Sequence, residues 1–262
     1  MTHGSLFSGI GGFDLGAQYA GIETLWNCEI ENFQRKVLKK NFPKTKQYGD
    51  IRNVRKAQYV DIVSGGFPCQ DISISGKGKG IKGERSCLWK EMYRVIWEIR
   101  PKYIIIENSP ALTIRGLEIV LCDLAKAGYN AEWDCISNSE FGYPHKRERI
   151  YIIAYSDKIG QQKMRNQRSS EIESIFIETP KKCGVDILSQ RIYEMPDSPI
   201  IRIDDGVSNW CNRIGSIGNA VNPIVACYLF NCIIHFNNKY NGSKRNHGSG
   251  TQDANLPEES RQ

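Results

Sequence analysis

The sequence has no Cys-x-x-Cys pair, although it holds nine cysteines. An odd and scattered set of this kind excludes a disulfide framework and a structural zinc site as the basis of the fold. No metal is expected, and a reducing compartment is. No apolar run approaches the length that crosses a bilayer, and no apolar segment behind basic residues marks a secretory leader. A cytoplasmic protein with no membrane partner is therefore expected. Internal repeats are absent. The glycine turn at residues 9–12 is not followed by the lysine of a phosphate-binding loop, nor does it complete Gly-x-Gly-x-x-Gly, so neither a nucleoside triphosphate nor a dinucleotide is the ligand it suggests best.

What is present describes an ordinary globular chain. Its 262 residues can bury a full core, with 40% hydrophobic and 24% charged residues. Lys and Arg number 35 against 29 Asp and Glu, a formal +6 that suits a polyanionic partner without requiring one.

Strand and helix signals alternate through the first 155 residues. A short strand at 5–7 breaks into the glycine turn, and a helix is expected from 13 to 20. Strand 24–28 and helix 31–41 follow, then strand 59–63. Residues 88, 92, 95, 96 and 99 are apolar at helical spacing, and Pro101 stops that helix. Tyr103-Ile-Ile-Ile-Glu107 reads as a strand covered on both faces. A helix over 115–127 with Gly128 as its cap and strands at 131–137 and 150–155 complete a doubly wound, mainly parallel α/β sheet. The alternation fails beyond residue 155. A small lobe or insertion is expected at 156–206, a returning C-terminal helix within 207–236, and a disordered tail at 237–262.

Several residues carry chemical meaning. Val60-Asp-Ile-Val-Ser-Gly-Gly-Phe-Pro-Cys69 delivers a thiol to the mouth of a sheet, where open α/β folds bind ligands; the alternative is a buried, inert cysteine. Gly9-Ile-Gly-Gly12 follows the first strand, and Glu29 ends the second, 18 residues after Gly11, where a ribose-binding carboxylate belongs. A nucleoside without phosphates, such as that of S-adenosylmethionine, fits this pattern. Asp50 is either an acceptor for an adenine amino group or a turn aspartate. Glu107 closes an aliphatic strand, so its pKa should be raised and suit proton donation to a ring nitrogen; a helix-capping role is the alternative. Lys146-Arg-Glu-Arg149 is either a solvated face or an anion clamp at the same sheet edge. The glycine-rich loop from 76 to 90 has five basic residues against Glu84 and reads as a mobile basic loop.

Taken together, Leu6-Phe-Ser-Gly-Ile-Gly-Gly12, Gly66-Phe-Pro-Cys-Gln70, Glu107-Asn108, Arg147-Glu-Arg149 and Gly218-Asn-Ala-Val221 resemble the ordered motifs of the DNA (cytosine-5)-methyltransferases. The resemblance implies a Rossmann-like S-adenosylmethionine-dependent fold with a small target-recognition lobe. It implies Cys69 as nucleophile on carbon 6 of a flipped cytosine, Glu107 at N3, and Arg147 with Arg149 at the base. Phe7, Gly9, Ile10, Gly11, Gly12, Glu29, Ile30, Asp50, Ile51, Leu88, Asn219, Ala220 and Val221 would hold the cofactor. Gln70, Ser73, Lys77, Lys79, Lys82 and Arg85 would meet double-stranded DNA. A monomer is expected, in a restriction-modification, phage or orphan setting, with a cognate endonuclease as a candidate partner.

The chain departs from the family pattern at His145, where glutamine is usual, at Ser109 and at Ile30, which stands where an aromatic often stacks on adenine. Residues 156–206 are short for target recognition, so a short or loosely read site is expected. Three rivals remain: a tRNA methyltransferase of this fold, whose usual Cys-Phe-Thr signature is missing here, a catalytically inactive DNA-binding relative, and a nucleotide-dependent oxidoreductase.

Overall fold

The computed structural model describes residues 1–68, 87–144, 146–160, 174–177 and 220–241. In chain order its elements are β1 (Thr2–Leu6), α1 (Gly12–Tyr19), β2 (Glu23–Cys28), α2 (Asn32–Asn41), β3 (Lys46–Tyr48), a 3-10 turn (Ile51–Asn53), β4 (Ile62–Gly65) and α3 (Cys87–Ile99). After these come β5 (Tyr103–Asn108), α4 (Leu112–Arg115), α5 (Leu117–Lys126), β6 (Tyr129–Ser137), β7 (Glu148–Ser156) and α6 (Pro223–Asn241). Seven strands form one sheet in the order β3-β2-β1-β4-β5-β7-β6. The pairings among β1 to β5 are parallel, whereas β7 runs antiparallel to both β5 and β6.

The aliphatic run of β5 shows why the sheet is central. Ile104 and Ile106 join a core with Trp89, Met92, Val95 and Ile96 of α3, while Tyr103 and Ile105 face Val225, Leu229 and Ile233 of α6. Alternate residues go to opposite faces of a strand, so a run with no polar member must be covered twice.

The doubly wound sheet of the sequence reading is present, and its departures have local causes. β3 was not expected, because three residues of mixed polarity at a sheet edge leave no apolar period. β4 starts at Ile62, with Tyr59 51% exposed, and runs on to Gly65 because Leu6 pairs with that glycine. The expected helix over 115–127 is split at Gly116, whose φ of 145° no helix contains. The last two strands pair as a β-hairpin, since no crossover helix separates them. The tail expected from 237 is helical to Asn241, and Tyr240 packs on Phe236 with ring centroids 4.7 Å apart. α6 opens on Pro223, with Asn222 Oδ1 accepting from the Ile224 amide at 3.0 Å, a proline-led start with an asparagine cap. Within the expected lobe, Ile175 is buried against the α6 side of the sheet, and Glu132 accepts from its amide at 2.9 Å. The remainder of 161–219 and of 242–262 lies outside the described residues.

Candidate active site

The strand order reverses between β1 and β4, and ligands of open α/β sheets sit beyond the carboxyl ends of the strands at that point. A cavity of about 540 Å³ lies there. One end of it is built by the turn after β1. Phe7 has φ of 52°, a left-handed conformation that costs a non-glycine residue roughly 1–2 kcal/mol. The turn is tied down next door: Ser8 donates from its amide to Cys28 O at 3.0 Å and accepts from the Cys28 amide on Oγ at 3.2 Å.

Glu29 is 8% exposed, and each carboxylate oxygen takes one backbone amide, from Gly9 at 2.8 Å and from Glu31 at 2.9 Å. An ionised carboxylate can accept about four hydrogen bonds, so Glu29 keeps capacity for the hydroxyls of a ribose. Phe7, Gly9, Glu29, Ile30, Ile51 and Leu88 all line the cavity, as expected of a cofactor wall. Asp50 lines it too, but its carboxylate caps the 3-10 turn through the Arg52 amide at 2.9 Å and holds the Arg52 guanidinium at 2.6 Å. Those Arg52 hydrogen bonds lower its pKa, so Asp50 meets any ligand as an already paired carboxylate. Arg52 also lines the cavity. Nothing in the sequence marks it except its place two residues after Asp50.

Ile10, Gly11, Gly12, Ala220 and Val221 do not belong to the cavity wall. For Gly12 the reason is packing: a Cβ there would lie 2.2 Å from the Val221 carbonyl oxygen, so this glycine lets the start of α1 pass the segment leading into α6. Gly11 caps α1 and abuts Phe42. Of the turn, only Gly9 thus lines the cavity.

The other end of the cavity brings the acid and the arginines together. Glu107 lies at the end of β5, opposite Tyr151 on β7, and its Oε1 is 3.1 Å from Arg149 Nε. Burial raises the Glu107 pKa, while Arg149 and then Arg147 oppose the rise. Its side chain is 12% exposed, and that exposure faces the cavity. Arg147 also lines the cavity, donating from Nη2 to Ala220 O at 2.9 Å. That bond ties the arginine run to the chain entering α6.

The turn leading to the expected nucleophile passes directly over Glu107. A Cβ on Gly66 would stand 2.5 Å from Glu107 Oε2, so any larger residue there would have to displace the acid. Asn108 donates from Nδ2 to Phe67 O at 3.1 Å and accepts on Oδ1 from the Ser109 amide at 2.8 Å. Phe67 is buried and packs on Trp89 of α3, centroids 5.5 Å apart. Pro68 then reaches the cavity wall. The positioning part of Asn108 was not foreseen, although its place after Glu107 in the motif was the signal for it. Cys69, Gln70, Ser73, Lys77, Lys79, Lys82, Arg85, His145 and Asn219 lie outside the described residues.

Residues 1–199 match the model of the C-5 cytosine-specific DNA methylases. The chain belongs to this family. Among curated members it is 38% identical over 160 residues to the type II methyltransferase M.NgoBI of Neisseria gonorrhoeae, an overlap of 59% of this chain and 50% of that one. With M.HhaI of Haemophilus parahaemolyticus the identity is 31% over 175 residues, 64% and 53% of the two chains. The chain thus spans about half the length of these methylases. The Dnmt2 methyltransferase of S. pombe shares the fold, with TM-score 0.62 at 17% identity over 90% of this chain and 98% of that one. The methyltransferase EhMeth of Entamoeba histolytica does so at TM-score 0.61 and 16% identity, over 90% and 98%. The S-adenosylmethionine-type α/β fold expected from the sequence is therefore the fold of this family. Among the described residues, no helix is long and apolar enough to cross a membrane.

Proposed function

We propose that this chain methylates carbon 5 of cytosine in double-stranded DNA, using S-adenosylmethionine and a covalent adduct at Cys69. The observation that carries the reading is the junction of β4 and β5: a glycine turn pinned by Asn108 runs over a buried, arginine-paired Glu107 at the edge of a nucleoside-sized cleft. The cleft fits the cofactor through a half-buried aromatic at Phe7, a carboxylate at Glu29 with acceptor capacity to spare, and the buried Ile51. Once bound, the cofactor supplies an electrophilic methyl group.

Carbon 5 of cytosine is a weak nucleophile, so the ring must first be activated. The thiolate of Cys69 adds to carbon 6, and the electron pair of the 5,6 double bond moves toward N3. Glu107, protonated more readily because it is buried, gives its proton to N3 and leaves an enamine whose carbon 5 is electron-rich enough to accept a methyl group. Arg149 steadies the carboxylate that results, and Arg147 stands at the wall for the base's carbonyl oxygen or the neighbouring phosphate. As carbon 5 takes the methyl group, N3 returns its proton to Glu107; loss of the carbon 5 proton to water and elimination of the Cys69 thiolate then restore the ring. A stacked base cannot reach such a site, so the cytosine is flipped out, at a cost of a few kcal/mol that phosphate contacts from the basic loop at 76–90 offset. Residues 156–206 serve target recognition in this reading, within a restriction-modification, phage or orphan setting.

Incubation with labelled cofactor and either duplex DNA or tRNA tests the substrate class. Label in DNA is expected. Label in tRNA alone would overturn the proposal.

A further inference from the structure

The 3-10 turn that carries Asp50 and Ile51 to the cleft is held from outside by α3. Arg94, with 24% of its side chain exposed, donates from Nη2 to Ile51 O at 2.9 Å and from Nη1 to Val54 O at 2.9 Å. Its remaining bonds fix the guanidinium from both sides along the helix: Nε to Glu91 Oε2 at 2.8 Å and Nη1 to Glu98 Oε1 at 2.6 Å. Four of the five N–H donors of a guanidinium are thereby used. A lysine has no such fork and could meet only part of this set.

The same helix holds the other end of the cleft. Leu88 stands in the cavity wall, and Trp89 packs on Phe67 one residue before Pro68. α3 is thus a common mount for the turn at the cofactor end and the turn leading to Cys69. Arg55 also donates to Val54 O, at 2.9 Å, and the Val54 amide donates to Ile51 O at 3.0 Å within the turn, so at the cleft residue Arg94 adds a side-chain hold from α3 to the turn's own bond.

We propose that Arg94 is a positioning residue for the cofactor: by fixing the carbonyls of Ile51 and Val54 it sets where the Asp50–Arg52 wall stands, and it governs cofactor affinity rather than the chemical step. This rests on the methyltransferase reading above. It concerns no group that touches the base.

The test is calorimetric titration of the full chain with S-adenosylhomocysteine, beside steady-state methyl transfer to DNA, for the wild type, Arg94→Gln and Arg94→Lys. Loss of the fork is expected to weaken binding about tenfold and to raise the cofactor KM by the same factor, with kcat at saturating cofactor within about twofold. Arg94→Lys should fall between the two. Wild-type affinity in Arg94→Gln, or a fall in kcat with KM unchanged, would overturn the proposal. Should Arg94→Gln show no cooperative unfolding transition, Arg94→Lys decides, since undiminished affinity there overturns it as well. A wild type that binds no S-adenosylhomocysteine would instead remove the methyltransferase reading beneath it.

Discussion

In the proposed reaction Glu107 meets two opposing demands. As the proton donor to a ring nitrogen it must hold its proton near neutrality, and burial favours that; as a carboxylate it must be stable between turnovers, and Arg149 at 3.1 Å provides for that. Replacement by glutamine keeps the shape and removes the proton. Glu107→Gln is expected to lower kcat by roughly two to three orders of magnitude while leaving S-adenosylhomocysteine affinity unchanged. The wild-type rate should fall as pH rises through the raised pKa of Glu107, and the variant should lack that limb. A pH–rate profile of the two proteins checks this, and an unchanged descending limb in the variant would assign it to another group. The residue was legible because a carboxylate at the end of Tyr103-Ile-Ile-Ile is costly to bury unless it serves the rim of the sheet. Arg52 and Arg94 were not, since what they hold is set by the course of the chain between β3 and β4, not by their neighbours in sequence.

At the scale of elements, α1 is joined to the sheet through buried polar groups as well as through Gly12. Asp14 is 1% exposed, accepts from Asn27 Nδ2 of β2 at 3.2 Å, and leaves Oδ2 without a partner, as Asn27 leaves Oδ1. Burial pushes its pKa from 3.8 up to about 6. His3 in β1, between Thr24 and Ser64, is pushed by burial from 6.5 down to about 3. The two act oppositely on stability. Between about pH 4 and 6 the folded chain holds the Asp14 proton that the unfolded chain has lost, so Asp14 favours folding toward acid, and this contribution is lost as pH rises through 6. Over the same range the unfolded chain binds the His3 proton that the folded chain excludes, so His3 favours folding toward base.

Their slopes, about 1.4 kcal/mol per pH unit each, therefore cancel in the wild type. Asp14→Asn should uncover the His3 slope across pH 4 to 6. It should also stabilise the fold at pH 8 by up to about 3 kcal/mol, because an asparagine amide can donate to Asn27 Oδ1 where an ionised carboxylate cannot. Urea unfolding across pH measures both, and parallel wild-type and variant curves would refute the coupling. The elements themselves were largely readable from composition. What escaped was whatever depended on a distant partner: β3 exists because β2 offers an edge, and the glycine at position 12 lies against the Val221 carbonyl.

At the scale of the molecule, the site is assembled at one reversal of strand order. β1 and β2 supply the proposed cofactor wall, β4 and β5 the turn toward the thiol and the proposed acid, the start of β7 and the residue before it the arginines, and the chain entering α6 the carbonyl that receives Arg147. The order of motifs along the chain made this legible as a set, because the glycine turn, the turn toward Cys69 and Glu107-Asn108 each stand at the end of a strand, and parallel strands end at one edge. The direction of β7 was hidden, yet it explains the Glu107–Arg149 pair: running against β5, it brings residues 147–151 back past the end of the acid's own strand.

The central claim is that this edge presents Cys69 to cytosine as a nucleophile. Duplexes carrying 5-fluorocytosine test it most directly, because fluorine at carbon 5 blocks the final elimination and leaves protein and DNA joined. With S-adenosylmethionine present, the wild type is expected to give a denaturant-stable protein–DNA adduct, and Cys69→Ala none. An adduct that persists in Cys69→Ala, or its absence from a wild type that methylates ordinary DNA, would contradict the covalent mechanism.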